Sequence, residues 1–104
     1  MSQELQIPIM CTLSEAALQR RKTDLQQSLF AGVLASQPTE NGYRLDFPAA
    51  DDWLGKITKF IQVERECCSF LTFELTIPAQ QNSMSLHICG TEGVKAFIEK
   101  ELLG

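Results

Sequence analysis

Apolar and polar residues follow two periods along the chain. An alternating pattern, typical of a strand with one buried face, occurs over residues 5–11, 33–37, 43–47, 71–77 and 84–89. Apolar residues three and four positions apart, typical of an amphipathic helix, occur over residues 12–32, 51–69 and 91–103. The pattern therefore predicts five strands and three helices.

These elements follow one another in the order β-α-β-β-α-β-β-α. The order favours an α+β fold in which an antiparallel sheet of about five strands carries the helices on one face, a sandwich in the manner of ferredoxin-like folds. The chain of 104 residues contains no internal repeat and no linker-like tract. We therefore expect one domain over residues 1–104.

Polar residues and glycines at the borders predict where elements begin and end. Gly32 is a plausible end for the first helix. Asn41-Gly42 suits a hairpin connection, because asparagine and glycine tolerate the positive φ that such a turn requires. Asp51 or Asp52 is expected to cap the second helix with its carboxylate.

Composition and charge exclude several classes of function. Hydrophobic residues make up 44% of the chain and the net charge is -4, with no basic run that would suit a nucleic acid. The N-terminus does not resemble a signal peptide, and no segment has the roughly 20 apolar residues that span a bilayer. The sequence predicts a cytoplasmic protein whose four cysteines stay reduced.

The predicted topology brings the cysteines together. If each connection reverses the direction of the chain, one end of the fold collects the end of the first strand, the end of the second helix and the end of the last strand. Those three places hold Cys11, the adjacent pair Cys67 and Cys68, and Cys89. This clustering favours a shared thiol site over independent core positions.

Glu64 interrupts the apolar stripe of the second helix. Cys67 and Cys68 follow it by three and four residues, so both thiols are its neighbours on the helix surface. A carboxylate is rarely buried unless it is paired or binds a metal, because removing its charge from water is costly. Glu64 is therefore either an ion-pair partner of Arg65 or Arg44, or a metal ligand or proton acceptor beside the thiols.

Thiolates and a carboxylate around one point suit a soft metal or metalloid ion such as Zn(II) or Cu(I). The candidate ligands are Cys67, Cys68, Cys11, Cys89 and Glu64. Arg65 and His87 are the candidates for residues that position these ligands, although His87 has a second interpretation. His87 shares a strand face with Cys89, but two such residues stand about 7 Å apart along a strand, so we expect a lone surface histidine.

Two other functions fit the same residues. Free cysteine often packs in cores as a small hydrophobe, which favours a structural or interaction module that could form a homodimer. A thiol-dependent enzyme is the weakest of the three, since the end of a helix and nearby glutamates disfavour a thiolate at Cys67 and Cys68. Cys11 and Cys89 lie before helix starts and are the better candidates for reactivity.

The segment ERECCSF, together with LHICGTEGVKAFIEKEL, resembles a family of small bacterial proteins with an E-R-x-C-C-x-F motif and a glycine-rich start to the last helix. The resemblance covers residues 64–103. In that family a proline often follows the cysteine pair, whereas this chain has Ser69, which leaves the helix end less sharply defined. The resemblance implies no activity and marks four residues as a signature: Glu64, Arg65, Cys67 and Cys68.

Overall fold

The computed structural model describes residues 15–103, apart from the side chains of a few helical residues. The helices are α1 (Glu15–Gln27), α2 (Asp51–Cys67) and α3 (Val94–Ile98). The strands are β1 (Ala35–Thr39), β2 (Gly42–Pro48), β3 (Thr72–Thr76) and β4 (Ser83–Cys89). A 3-10 turn over Phe30–Gly32 follows α1, and a π-helical turn over Glu99–Leu103 continues α3.

The strands form an antiparallel sheet in the order β1-β2-β4-β3. Because β4 pairs with both β2 and β3, those two strands run parallel to each other, and α2 connects them as in a split β-α-β unit. The α+β class is confirmed. The five-stranded, ferredoxin-like sandwich is wrong for the described residues, where the sheet has four strands in a different order; the strand predicted over residues 5–11 lies outside them.

The prediction differed here because alternation indicates which face a residue occupies, but not which strand lies beside it. Register and strand order depend on long-range pairing. A period read along one segment contains no information about its partner.

The inner face of the sheet packs against the helices. Alternate residues of β2 and β4 enter the same core as residues of α2 and α3 that lie three or four positions apart. Each such side chain stabilises the fold by about 1.5–3 kcal/mol when fully buried. The central members of this core are Leu45, Phe47, Leu86, Ile88, Ile57, Phe60, Val94 and Ile98.

Several helix boundaries differ from the prediction, and α2 ends at Cys67 and α3 begins at Val94, inside the predicted ranges. Helix α1 ends at Gln27, and Gly32 lies instead in the 3-10 turn. The N-cap of α2 is Ala50, while Asp51 and Asp52 occupy the first turn. Their carboxylates favour the helix start through its dipole rather than through a capping hydrogen bond. Among the described residues, no helix combines the length and apolar character needed to cross a bilayer.

The β1–β2 hairpin turns one residue earlier than predicted. Thr39 pairs with Gly42, so the turn residues are Glu40 and Asn41. The positive φ angles in residues 15–103 occur elsewhere, at Gln80 and Gly93. The turn therefore does not use the left-handed backbone that the Asn-Gly pair suggested.

Gly42 serves a close approach of two strands. A Cβ atom at this position would lie 2.7 Å from Cα and 2.9 Å from Cβ of Cys89, and closer still to the carbonyl oxygen of Ile88. Only a glycine permits β2 to pass β4 at this distance. The tight contact lies directly beside Cys89.

Candidate metal centre

The outer face of the sheet, opposite the helices, presents two neighbouring rows of residues across the four strands. Strand pairing places Thr39, Gly42, Cys89 and Thr72 in the first row, which we call the Cys89 row. It places Gln37, Arg44, His87 and Glu74 in the second, the His87 row. The imidazole of His87 thus has the carboxylate of Glu74 opposite it on the neighbouring strand β3. The thiol of Cys89 lies two residues further along β4.

Three potential metal ligands meet where these rows adjoin. One ligand atom from each of Glu74, His87 and Cys89 lies within 4.8 Å of the other two. Nδ1 of His87 is 2.7 Å from Oε1 of Glu74. The other ring nitrogen, Nε2, is 2.8 Å from Oγ1 of Thr39. The imidazole is therefore held from both sides, by residues of β3 and β1.

The three groups are buried to different depths. Cys89 is only 4% exposed, whereas the side chain of His87 is 22% exposed and that of Glu74 is 63% exposed. A metal ion that approaches from solvent would meet the carboxylate of Glu74 first, the imidazole of His87 next and the thiol of Cys89 last. This gradient places the softest donor in the driest environment.

Electrostatics keep the Cys89 thiol protonated near neutral pH. Burial raises the pKa of Cys89, and the negative charge of Glu74 raises it further. A cation between the two groups would outweigh both effects, because a thiol that coordinates a metal ion is deprotonated and its proton is released to water. The arrangement disfavours a free thiolate and favours one that is paired with a positive ion.

The donor set suits a tetrahedral ion after small side-chain movements. Zinc bond lengths to sulfur, nitrogen and oxygen imply ligand separations of about 3.3–3.6 Å in tetrahedral geometry. The carboxylate and imidazole, now 2.7 Å apart, would separate slightly, and the sulfur would approach them. Rotation of the exposed Glu74 side chain can supply much of this adjustment.

The predicted thiol site is described only in part. Cys68 is completely buried within the core of the inner face, whereas the sulfur of Cys89 lies on the outer face. The sheet therefore separates these two thiols. Cys11 and the side chain of Cys67 lie outside the described residues, so the thiol site as a whole stays a prediction.

Glu64 occupies a buried position, as the interrupted stripe predicted, and is 1% exposed. It lines a cleft of about 610 Å³ between α1 and α2, together with apolar residues such as Leu25 and Phe60. Arg65 is exposed in the last turn of α2. Arg44, the other suggested partner, lies on the outer face instead.

There Arg44 donates a hydrogen bond from Nη2 to Oε1 of Gln37 at 2.8 Å. Its Nε atom is 3.8 Å from Oδ1 of Asp46. Arg44 thus belongs to the polar network of the outer face.

Sequence reasoning missed two features of the outer face. The expectation of a lone surface histidine is wrong, because His87 contacts Glu74 and its ring approaches Cys89 despite the spacing of their backbones. Glu74 was not among the predicted ligands, because the sequence does not show which residue of β3 pairs with His87. The sequence does contain a signal for this pair: two alternating segments, residues 71–77 and 84–89, are separated by a short polar loop. Antiparallel pairing of these two segments sets Glu74 opposite His87.

Comparison with known proteins found no family model, no curated protein and no solved structure that matches the chain. The resemblance to the E-R-x-C-C-x-F family accordingly stays a prediction from its motif.

Proposed function

We propose that this protein binds one zinc ion through Cys89, His87 and Glu74. The observation that supports the proposal most directly is the meeting of sulfur, nitrogen and oxygen donors within 4.8 Å on neighbouring strands. All three side chains project from regular strands, which hold their backbones in a defined register. Strand-based ligands need only side-chain rotation to close around an ion.

The mixed donor set favours zinc over copper(I). Zinc accepts thiolate, imidazole and carboxylate together, whereas copper(I) prefers sulfur donors and gains little from a carboxylate. One thiolate and one carboxylate also balance the two positive charges of the ion. The balance matters at Cys89, where 4% exposure leaves little water to screen an uncompensated charge.

Three protein ligands leave a fourth position on the solvent side. Structural zinc sites generally use four protein ligands, whereas sites that exchange metal or bind a further molecule keep one position open. The 63% exposure of the Glu74 side chain supports an open position on the side of water. We therefore propose an exchangeable zinc site rather than a metal that the fold needs.

The same residue types also occur in thiol enzymes, but the surroundings disfavour that chemistry. A nucleophilic cysteine requires a stabilised thiolate and access for its substrate. Burial and Glu74 raise the pKa of Cys89, and the sulfur is almost inaccessible. Nε2 of His87 is already engaged by Thr39. For Cys68, the place in the apolar core favours the alternative of simple packing.

A zinc titration of the reduced protein tests this proposal, with affinity measured by chelator competition and bound metal by elemental analysis. We expect one zinc ion per chain in the wild type. Replacement of Cys89→Ser, His87→Ala or Glu74→Gln should weaken binding, with Cys89→Ser lowering affinity at least about 100-fold because the thiolate is lost. Cobalt substitution should show charge transfer from a single thiolate.

Cys68→Ala is the matched control, because it removes a buried thiol from the opposite face and should leave zinc affinity unchanged. If Cys89→Ser retained wild-type affinity while Cys67→Ser abolished it, the site would lie at the predicted thiols instead. Absence of zinc binding by the wild type would exclude both. A parallel titration with copper(I) tests the choice of metal. If copper(I) at equal concentration displaced zinc stoichiometrically, the site would be a copper(I) site.

A further inference from the structure

The imidazole of His87 bridges residues of two strands that do not pair with each other. Nδ1 faces Glu74 on β3 at 2.7 Å, and Nε2 faces Thr39 on β1 at 2.8 Å. In the zinc site proposed above, Nδ1 is the nitrogen on the side of Glu74. The contact at Nε2 then lies outside the ligand set.

We propose that Thr39 is a positioning residue of this zinc site: its hydroxyl holds Nε2 of His87, and so directs Nδ1 toward the ion. The inference rests on the proposed zinc function. Metal-binding histidines generally donate a hydrogen bond from the nitrogen that does not bind metal, which sets the tautomer and the orientation of the ring. Thr39 offers the acceptor that this arrangement requires.

A hydroxyl suits this position because it can reverse its role. A carboxylate oxygen only accepts, so in the metal-free protein Nδ1–H donates to Glu74. When Nδ1 carries the single ring proton, Nε2 accepts from the Thr39 hydroxyl. When zinc binds Nδ1, the ring proton resides on Nε2 and Nε2–H donates to Oγ1 of Thr39. The same contact therefore orients the ring with or without the ion.

The geometry of the β1–β2 hairpin explains how a histidine on β4 reaches β1. Thr39 is the last residue of β1 and pairs with Gly42, which in turn pairs with Cys89. Gly42 has no side chain to fill the space between Thr39 and Cys89. The imidazole of the adjacent row can therefore cross β2 and meet the hydroxyl of Thr39 diagonally.

Conservative replacements at Thr39 test the inference. Thr39→Val keeps the shape and strand propensity of the side chain but removes the hydroxyl, and we expect about 10–100-fold weaker zinc binding. Thr39→Ser restores the hydroxyl and should restore wild-type affinity. Thr76→Val, an equivalent change at an exposed position of β3, is the matched control and should bind zinc like the wild type. Circular dichroism verifies that each variant is folded.

Nitrogen-15 spectra of the ring supply a readout that a merely structural role would not change. The chain has one histidine, so its ring signals belong to His87. Zinc should shift Nδ1 and leave Nε2 protonated in the wild type, while in zinc-loaded Thr39→Val the Nε2–H proton should exchange faster with water, because it has lost its acceptor. Wild-type affinity in Thr39→Val, or zinc on Nε2, would overturn the inference. Failure of the wild type to bind zinc would overturn the proposed function itself.

Discussion

Cys68 and Cys89 are both buried thiols, but they face different surroundings on opposite sides of one sheet. Cys68 lies just after α2 among apolar side chains of the core. Cys89 ends β4 on the outer face, where an imidazole and a carboxylate approach it. Burial alone therefore does not assign chemistry to a cysteine; the polar groups that share its environment do.

The contrast has a physical basis in the pairing of strands. Cys68 follows the last turn of α2 and is buried in the core cluster on the inner side of the sheet. The neighbours of Cys89 are determined by strand register. Gly42 and Thr72 pair with it on either side, and His87 and Glu74 lie in the next row. The outer site thus depends on strand register, and the inner thiol on packing within the core.

The largest expected effect follows from the close strand contact beside Cys89. Gly42→Ala places a methyl group against the backbone of β4, and we expect the free energy of unfolding to fall by about 3 kcal/mol. Chemical denaturation measures the change. Because β2 and β4 must separate, zinc affinity should fall as well.

Gly55→Ala is the matched control, since a methyl group there meets nothing within 4 Å. It lies in the interior of α2 and should stabilise the protein by about 0.5–1 kcal/mol. Equal stability of Gly42→Ala and wild type would show that the outer site tolerates a wider strand spacing, contrary to our account.

The second prediction compares Cys68 and Cys89 by the free energy of unfolding that zinc adds. Zinc at 100 times its dissociation constant should stabilise the wild type by about 2.7 kcal/mol, because it binds the folded state. Cys68→Ala should start about 1 kcal/mol lower, for loss of core packing, yet gain the same increment. Cys89→Ala should gain none. Denaturation with and without zinc gives both quantities, and an increment lost in Cys68→Ala would contradict the separation of the two faces.

The smallest effect concerns a carboxylate contact on the helix side of the sheet. The Tyr43 hydroxyl donates to Oε2 of Glu99 at 2.9 Å, and this hydrogen bond, with some burial and the charge of Glu99, raises the pKa of Tyr43. The effect of Glu99 on the pKa of Tyr43 can be compared with the effect of Glu74 on the pKa of Cys89. Tyr43 is the only tyrosine, so ultraviolet titration reports it alone.

Glu99→Gln should lower the pKa of Tyr43 toward its usual value of 10.0. Because the folded-state pKa is raised, the stabilisation is present below about pH 10 and is lost as pH rises through the folded-state pKa. Glu101→Gln, which alters a nearby carboxylate beside Lys100, should leave the titration unchanged. An identical midpoint in Glu99→Gln and wild type would show that the hydrogen bond does not govern the phenol.

Particular residues show how far sequence reasoning reached. The interruption of an apolar stripe predicted the burial of Glu64, and alternation placed His87 and Cys89 on one face of a strand. The antiparallel α+β class also followed from periodicity. The turn at Glu40 and Asn41 was displaced by one residue, because the dipeptide preference of Asn-Gly competes with the pairing of whole strands.

The sequence by itself determined the faces: which residues point into the core and which point to the outer side of each strand, because these depend on periods of 2 and 3.6 along the chain. Only the tertiary structure decided the neighbours. The order β1-β2-β4-β3 set Glu74 opposite His87, brought Thr39 within reach of the ring and separated Cys68 from Cys89. A metal site needs donors from several strands at one point, and their meeting depends on register, which no single segment encodes.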